Sequence, residues 1–466
     1  MYSLLLILIP VISGLLSFFL KEEKAVKGFA LLVSIATLAV SLCSLCSTTQ
    51  LAFSAEWIPS LGSKFSLSLD GMSKMLCLLN CISLPIIFTS IYKNNYKNTS
   101  GFYGLMFLMQ AGIMGVFLAG DALLFYFFWE LALIPAYFLC SIWGGEKRIQ
   151  VTFKFFIYTF VGSLLMLLGL IYLYLQTPGS HSFAYNDFLQ LHLSAKQQAS
   201  VFALMFIAFA IKMPIFPFHT WQPDAYEQAP TAVTMVLSGV MVKMGIFAVI
   251  KWLIPMLPLA VKGHANFVII LSVIGMLYAS LIAIKQDDIK RLVAYSSIAH
   301  IGLMCAAIFT NTNMGMQGVL VQMFNHGINV IGLWIVVDVI EQQLGTRKFS
   351  ELGGLAQKAP TLAILFVVMC FANIALPLTN AFVGEFLMFS GLFQYNIWFA
   401  AVAGISIVLG AVYTLNMVQK IFYGNTVVAT DRAVDISLNV KLSLVILVVV
   451  IIAFGVYPMP LMNLVK

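Results

Sequence analysis

Apolar runs separated by short polar connections recur along the whole chain. Each run is roughly 20 residues long, enough for an α-helix to cross the hydrocarbon core of a bilayer. Two runs, centred near Phe366 and Leu387, lie too close together to be separate spans, so we join them across Pro377 as one interrupted helix. The opening run lacks the features of a cleaved signal peptide and counts as a span. The pattern predicts an all-α polytopic membrane protein with about fourteen transmembrane helices.

The composition agrees with a lipid environment. Of the 466 residues, 61% are hydrophobic and 9% are charged, whereas soluble domains carry about 25% charged residues. The formal net charge is +7, but the basic residues are scattered between the apolar runs and form no single patch, so no nucleic-acid partner is expected. The seven cysteines lack metal-site spacing. Because no hydrophilic stretch exceeds roughly 25 residues, we expect no flavin, iron–sulfur cluster or metal in this chain.

Lysine and arginine are unevenly shared between alternate connections, and this asymmetry predicts the orientation. About seventeen lie in one set of connections and about five in the other. The rich set consists of Lys21, Lys24, Lys27, Lys93, Lys97, Lys147, Arg148, Lys154, Lys285, Lys290, Arg291, Arg347, Lys348, Lys358, Lys420, Arg432 and Lys441, and the poor set of Lys64, Lys196, Lys251, Lys262 and Lys466. We expect the rich set to be cytoplasmic and both termini to face the opposite side.

Six ionisable residues lie inside apolar runs. They are Glu130, Lys212, Lys243, His300, His326 and Glu385. A charged side chain at the bilayer centre costs about 2.5–3.5 kcal/mol, so such groups face a partner or a hydrated cavity. Structural ion pairs between helices are one interpretation. Because the six are spread over separate runs, we favour a pathway for protons.

Two of these residues have polar neighbours at helical spacing. Tyr126 and Tyr137 share a helix face with Glu130, where their hydroxyls can bind water or a partner. His326 belongs to a polar stripe that also contains Gln322, Asn325 and Asn329. Such a stripe is also typical of hydrogen bonds that hold membrane helices together, and both interpretations stay open for His326.

Two of the helices are interrupted by proline near a charged residue. Pro214 and Pro217 follow Lys212, and Pro377 precedes Glu385. Broken helices in corresponding halves of a membrane protein indicate inverted repeats that line a cavity. Counted along the chain, the breaks fall in helices 7 and 12, which predicts two inverted five-helix repeats, helices 4–8 and 9–13. The single transmembrane domain, 1–466, then comprises helices 1–3 (1–100), a first repeat (101–252), a second repeat (265–424) and helix 14 (439–461).

Eight segments resemble one family in sequence and in order. They are FFWELALIPAYFL, IWGGEKR, KFFIYT, KMPIFPFHTWQPDAYEQAPTA, GVMVKMG, DDIKRLVAYSSIAHIG, FNHGIN and LPLTNAFVGEF. The chain resembles the antiporter-like membrane subunits of complex I, the NADH-quinone oxidoreductase, over roughly Phe107 to Gly424. The resemblance implies a proton-translocating subunit of the bacterial inner membrane that moves protons through buried Glu, Lys and His, coupled to quinone reduction in other subunits.

Residue by residue, the resemblance implies a role for each buried group. Glu130 matches the helix-5 glutamate, which pairs with the helix-7 lysine matched by Lys212. Lys243 matches the central helix-8 lysine. The positions matched by the two histidines of the second half, His300 and His326, lie along the hydrated axis. Glu385 matches the terminal glutamate of the pathway, on helix 12. A glutamate at this position resembles the chain M branch of the family. Chains L and N and many cation antiporter subunits carry a lysine there.

The same resemblance implies partners and cofactors. The partners are the antiporter-like chains L and N and, through the complex, the hydrophilic NADH-oxidising arm, whose other subunits carry FMN and iron–sulfur clusters. The chain is then a non-redox subunit of an enzyme. A subunit of a multi-chain sodium/proton antiporter and the membrane arm of a hydrogenase-type complex share this fold and remain alternatives; Glu385 favours the first function.

Four features leave alternatives open. His219, after the first break, is either a site residue or a structural histidine. Lys154 either tunes Glu130 or extends to the membrane interface. Asp288 is expected to cap a helix rather than to carry protons. At the second break Leu378 stands where the family often has a small residue or glycine, which bears on the flexibility of that hinge.

Overall fold

The computed structural model describes residues 1–47 and 52–465, so Lys466 of the poor set lies outside the described residues. The helices are α1 Tyr2–Ser17, α2 Glu23–Cys46, α3 Gly71–Ser90, α4 Thr99–Leu118, α5 Ala122–Trp143, α6 Arg148–Gln176, α7 Tyr185–Leu189, α8 Ala195–Lys212, α9 Trp221–Gln228, α10 Thr231–Met256, α11 Pro258–Lys285, α12 Ile289–Phe309, α13 Asn313–Leu344, α14 Pro360–Asn373, α15 Asn380–Tyr395, α16 Ile397–Phe422, α17 Val428–Asp431, α18 Leu438–Val456 and α19 Met459–Leu464. Short 3₁₀ turns occur at Pro59–Leu61, Phe349–Glu351 and Leu355–Gln357.

Eleven helices in the described ranges are long and apolar enough to cross a membrane. They are α2–α6, α10–α13, α16 and α18. Two shorter apolar helices, α1 and α14, add to them. The polytopic helical architecture is therefore confirmed, while the number of fourteen spans stays a prediction.

A β-hairpin that the hydrophobic pattern does not predict interrupts the series of helices. Strands β1 Phe53–Ile58 and β2 Ser63–Leu67 pair antiparallel in the connection between α2 and α3. Gly62 closes the turn with φ of 59°, a conformation that suits glycine. The Asp121 carboxylate accepts hydrogen bonds from Ser63 Oγ at 2.9 Å and Lys64 N at 3.0 Å and also caps α5, which joins the hairpin to that helix.

Both expected interruptions are present. After α8 the chain leaves the helix at Met213, passes through a cis Phe216–Pro217 bond and re-enters helix at α9. Between α14 and α15 the backbone turns through Ala375 and Leu378, which have positive φ of 54° and 74°. These φ values are unusual for residues with a side chain, so the second break is held by its surroundings and not by glycine.

Helix α10 deviates from regular α geometry in a way that hydrophobic periodicity does not reveal. Wider π turns occur at Leu237–Met241 and Val249–Leu253, and an α-helical segment, Lys243–Ala248, lies between them. A π turn accommodates one extra residue and rotates the residues that follow by about 100°. The direction in which Lys243 points therefore depends on both π turns.

The chain divides into two compact units. The first comprises Met1–Pro85, Asn95–Met213 and Val240–Ala265, and the second comprises Ile86–Asn94, Pro214–Gly239 and Asn266–Lys466. These boundaries differ from the predicted repeats, because residues 214–239 fall in the predicted first repeat but belong to the second unit. The inverted repeats stay a prediction.

In the second unit, α13 and α15 pack unusually closely. A Cβ at Gly391 would lie 2.6 Å from the Gly315 backbone, and a Cβ at Gly384 would lie 2.9 Å from Gln322 Cβ. Such distances are shorter than real Cβ contacts, so only glycine permits this approach. The close packing brings the residue after Gly384, which is Glu385, against α13.

We expect Gly391→Ala to destabilise the protein by about 1–3 kcal/mol, because the new methyl group meets the backbone of Gly315, which cannot move aside. The measurement is the thermal unfolding midpoint of the purified protein in detergent. Gly404→Ala on α16 is the control, since a Cβ there meets nothing within 4 Å. Equal midpoints for the two variants would contradict the close packing of α13 and α15.

Candidate functional site

The first unit holds Glu130 on α5 next to α6. Glu130 and Tyr126, one turn earlier on the same helix, both interact with the side chain of Ser163 on α6. Glu130 and Tyr126 also line a surface groove of about 370 Å³, together with Trp57 and Phe127. Carboxylate oxygen Oε1 is buried and has no hydrogen-bond partner among the described residues. Glu130 therefore stands between a groove and the buried interior of its unit.

Lys212 is the last residue of α8, directly before the break. Its side chain is 2% exposed, and Nζ has no hydrogen-bond partner in the described part of the chain. The ammonium lies 5.5 Å from the centroid of the Trp129 ring, a cation–π contact, and it interacts electrostatically with Glu130. The negative end of the α8 dipole also favours a cation there. Lys212 and Glu130 thus interact at a distance, without the hydrogen bond that a direct ion pair would have.

Lys243 begins the α-helical segment between the two π turns and is fully buried. Two residues later, a Cβ at Gly245 would lie 2.8 Å from Met213 N and 2.9 Å from Phe209 O. Glycine is needed at this position because α10 touches the backbone at the end of α8. The same contact places the beginning of the Lys243 segment beside the end of the helix that carries Lys212.

The two remaining candidates of the first unit have separate surroundings. The Tyr137 ring packs against Phe156 of α6, with ring centroids 5.3 Å apart. Lys154 is a half-buried residue of α6. Their roles as tuning groups stay predictions.

In the second unit three helices bring the other titratable groups together. His300 Nδ1 of α12 lies 3.0 Å from Glu385 Oε1 of α15. Gln322 Nε2 of α13 donates to the same oxygen at 3.4 Å. The His326 ring lies 5.6 Å from the His300 ring, and its Nε2 is 3.3 Å from the Ser297 hydroxyl. Four groups expected from the sequence thus form one contiguous cluster.

A small cavity adjoins this cluster. It has a volume of about 30 Å³ and is lined by His300, Glu385, Asn373 and Tyr413, among others. A space of this size holds roughly one water molecule. His300 Nε2 is buried and has no partner in the described ranges, as expected for a nitrogen that binds water.

Two polar members of this neighbourhood, Asn373 and Tyr413, were not predicted from the sequence. Asn373 Nδ2 and the Tyr413 hydroxyl each lie 3.1 Å from Ser296 Oγ and donate to it. Asn373 is the last residue of α14, immediately before the break, and this position was the signal that could have identified it. Tyr413 lies within a long apolar helix and adjoins no break, so its position gives no comparable signal.

Two members of the polar stripe on α13 bind the interrupted helix itself. Asn325 Nδ2 donates to Asn380 O at 2.7 Å, and Asn329 Nδ2 donates to Ala372 O at 3.3 Å. These carbonyls belong to the first residue of α15 and to the end of α14. The stripe is therefore divided: Asn325 and Asn329 stabilise the backbone, whereas Gln322 and His326 belong to the titratable cluster.

His219 lies away from helical geometry, in the first break. It is 3% exposed, and its ring stacks on Phe216 and meets Tyr278 edge to face, with centroids 5.8 and 5.2 Å away. This aromatic setting is compatible with the structural interpretation as well as with a site role, so the role of His219 stays a prediction.

The prediction that Asp288 caps a helix is confirmed, because Asp288 accepts a hydrogen bond from Arg291 N at 3.2 Å at the beginning of α12.

A family model described as "NADH:quinone oxidoreductase/Mrp antiporter, TM" matches residues 119–410. This range contains Glu130, both breaks and the whole cluster around Glu385. The chain belongs to this family. Among the described residues no group of three or more His, Cys, Asp or Glu side chains is arranged to hold a metal ion.

Individual relatives of this family resemble the chain over almost its full length. It is 36% identical to NADH-quinone oxidoreductase subunit M of Rickettsia prowazekii, covering 98% of this chain and 95% of the relative. It is 34% identical to F(420)H(2) dehydrogenase subunit M of Methanosarcina mazei, and the match covers 99% of this chain and 95% of the relative. A chain of respiratory complex I from Thermus thermophilus with bound NADH matches in structure with a TM-score of 0.91 and 28% identity, covering 100% of both chains.

We expect Asn325→Leu to lower stability by about 1–3 kcal/mol, because it leaves the buried carbonyl of Asn380 without its donor. Thermal unfolding of the purified protein measures the effect. Gln342→Leu, on the exposed face of the same helix, is the control. If both variants unfold at the same temperature, the amide of Asn325 does not hold the break.

Proposed function

We propose that this chain is the proton-translocating membrane subunit of a respiratory NADH-quinone oxidoreductase of the complex I type. The observation that carries the proposal is the His300–Glu385 pair, which is buried at an interrupted helix beside a cavity for about one water molecule. Such a group can exchange a proton with water at membrane depth. The printed name of the Rickettsia relative and the match to complex I support the same function.

In the second unit, proton exchange centres on Glu385. When Glu385 is ionised, it accepts hydrogen bonds from His300 and Gln322. When it takes up a proton, the electrostatic attraction between Glu385 and a charged His300 is lost. Proton transfer to His326 is then a short step, because its ring adjoins that of His300.

In the first unit, the charge of Lys212 depends on Glu130. The ammonium has no hydrogen-bond partner among the described residues, so the carboxylate and the Trp129 ring are the groups that stabilise its charge. Protonation of Glu130 removes that attraction and favours release of a proton from Lys212. Lys243 is the next buried basic group and receives or supplies the proton.

The surroundings of the chain follow from the same proposal. It lies in the bacterial inner membrane with both termini on the non-cytoplasmic side, because the lysine-rich connections face the cytoplasm. Its partners are the antiporter-like chains L and N and the hydrophilic NADH-oxidising arm. FMN and the iron–sulfur clusters belong to other subunits, and this chain contributes proton transfer without redox chemistry.

A second candidate function is a subunit of a multi-chain sodium/proton antiporter, since the family description includes the Mrp antiporter. A hydrogenase-type complex is a further alternative, and the Methanosarcina relative has a different electron donor in its name. Purification from native membranes decides between these functions. Co-purifying flavin and quinone-site chains support the proposal, whereas small antiporter chains or nickel-site chains support the alternatives.

The first prediction of this function concerns Glu130 and Lys212. We expect Glu130→Gln and Lys212→Met each to reduce coupled proton transport about tenfold or more. The double variant should be no worse than either single variant, because the two groups act as one unit. NADH-driven acidification of inverted membrane vesicles measures transport.

The controls for this pair are Glu146→Gln in the exposed α5–α6 connection and Lys196→Met on the exposed face of α8. Both should transport protons at the wild-type rate. Wild-type transport by Glu130→Gln or by Lys212→Met would show that the pair is not part of the pathway.

The next prediction concerns Glu385. Glu385→Gln keeps the size of the side chain and removes the exchangeable proton, so we expect normal assembly on native gels and at least about a tenfold loss of coupled transport. Glu351→Gln, at an exposed salt bridge to Lys348, is the matched control. Full transport by the assembled Glu385 variant would assign the step to another group, with His326 the next candidate.

A further inference from the structure

A second ion pair of the first unit lies outside the proposed proton groups. Lys251, in the second π turn of α10, has its Nζ 2.5 Å from Asp70 Oδ2. The other oxygen of Asp70 accepts a hydrogen bond from Ser73 N at 2.8 Å and caps the beginning of α3. The Lys251 side chain is 18% exposed and that of Asp70 39%. The pair therefore ties one turn of α10 to the end of another helix near the boundary of the apolar region.

The backbone of Lys251 is held as well as its side chain. Pro255 follows four residues later and has no N–H, so it cannot donate the usual helical hydrogen bond to the Lys251 carbonyl. The Tyr185 hydroxyl donates to this carbonyl instead, at 3.0 Å. The Tyr185 ring also faces the Lys251 ammonium at 4.9 Å and packs edge to face on Trp252. Three separate contacts thus fix one residue of the π turn.

This π turn sets the rotation of Lys243 about the axis of α10 relative to the residues that follow the turn. Lys243 precedes Lys251 by eight residues, and the α-helical segment that carries it ends where the π turn begins. If the π turn rewound to regular α-helix, the extra residue would be lost from the turn. The part of α10 before the turn would then rotate by about 100° relative to the part after it. Such a rotation would separate Lys251 from Asp70 or turn Lys243 away from its buried position.

We propose that Lys251 is a positioning residue, which acts with Asp70 and Tyr185 to hold the π turn at Val249–Leu253 and so to fix the orientation of Lys243. This inference rests on the proposed function, because it assigns Lys243 a role in proton transfer. We call these three residues the clamp. It acts through the geometry of α10.

The ionic part of the clamp is intact at neutral pH. Burial raises the pKa of Asp70, but the charge and the hydrogen bond of Lys251 and the amide of Ser73 lower it more, so the folded value lies below the usual one. A carboxyl group with a lowered pKa contributes its stability above its unfolded pKa and loses it as the pH falls through the folded value. The clamp is therefore permanent around pH 7 and does not itself switch with the proton cycle.

The test compares coupled proton transport per assembled complex in native membrane vesicles. Lys251→Met removes the ion pair, and we expect at least about a threefold loss of transport, with quinone reduction less affected, because Lys243 is misplaced rather than lost. Lys251→Arg keeps the positive charge, so this variant should retain most of the proton transport. Tyr185→Phe removes only the hydrogen bond to the carbonyl and should give an intermediate loss.

Lys262→Met, an exposed lysine of α11, is the control and should match wild type. Wild-type coupling in assembled Lys251→Met, or equal losses in Lys251→Arg and Lys251→Met, would overturn the inference. If Lys251→Met fails to assemble, Tyr185→Phe decides: reduced coupling supports the clamp and wild-type coupling refutes it. Lys243→Met in the same assay separates the two proposals, because wild-type transport by that variant would refute the role of Lys243 itself.

Discussion

A helix that is interrupted inside a membrane must find hydrogen-bond partners for the backbone groups that it exposes, because lipid supplies none. In the second unit two asparagines of α13 meet this requirement: Asn325 binds the first carbonyl of α15 and Asn329 binds a carbonyl at the end of α14. The cluster of titratable groups around Glu385 depends on these two hydrogen bonds. They fix the beginning of α15, and Glu385 lies little more than one turn further along that helix.

The same constraint explains why packing at the break is tight. Non-glycine residues adopt positive φ at Ala375 and Leu378, a conformation that costs free energy unless neighbours enforce it. A Cβ at Gly455 of α18 would lie 2.1 Å from the Leu378 carbonyl oxygen, so α18 closes directly over the break. Close contact on both sides thus offsets the strain. The second break is held rigid by packing, which answers the doubt that its lack of glycine raises from the sequence.

Local features were predictable from the sequence, and long-range ones were not. Proline lacks a donor wherever it stands, so the break after Lys212 follows from Pro214 and Pro217 alone. The approach of His300 to Glu385 depends instead on the packing of three helices, and no spacing along the chain encodes it. The hairpin at Phe53–Leu67 escaped prediction because it is short and lies between two strong helical signals. The π turns escaped because hydrophobic periodicity is insensitive to one inserted residue in a helix that is apolar on every side.

The two units stabilise buried charge by different physical means, and the difference bears on mechanism. Around Glu385 the partners are hydrogen-bonding groups at short range, with His300 Nδ1 3.0 Å from its Oε1. Around Lys212 the stabilising groups are an aromatic face and a carboxylate that makes no hydrogen bond to it. Interaction of that kind weakens gradually with distance in a medium of low dielectric constant, whereas a hydrogen bond is lost within a few tenths of an ångström. In the proposed function, the first unit would therefore respond to charge at its groove, and the second would exchange protons with water.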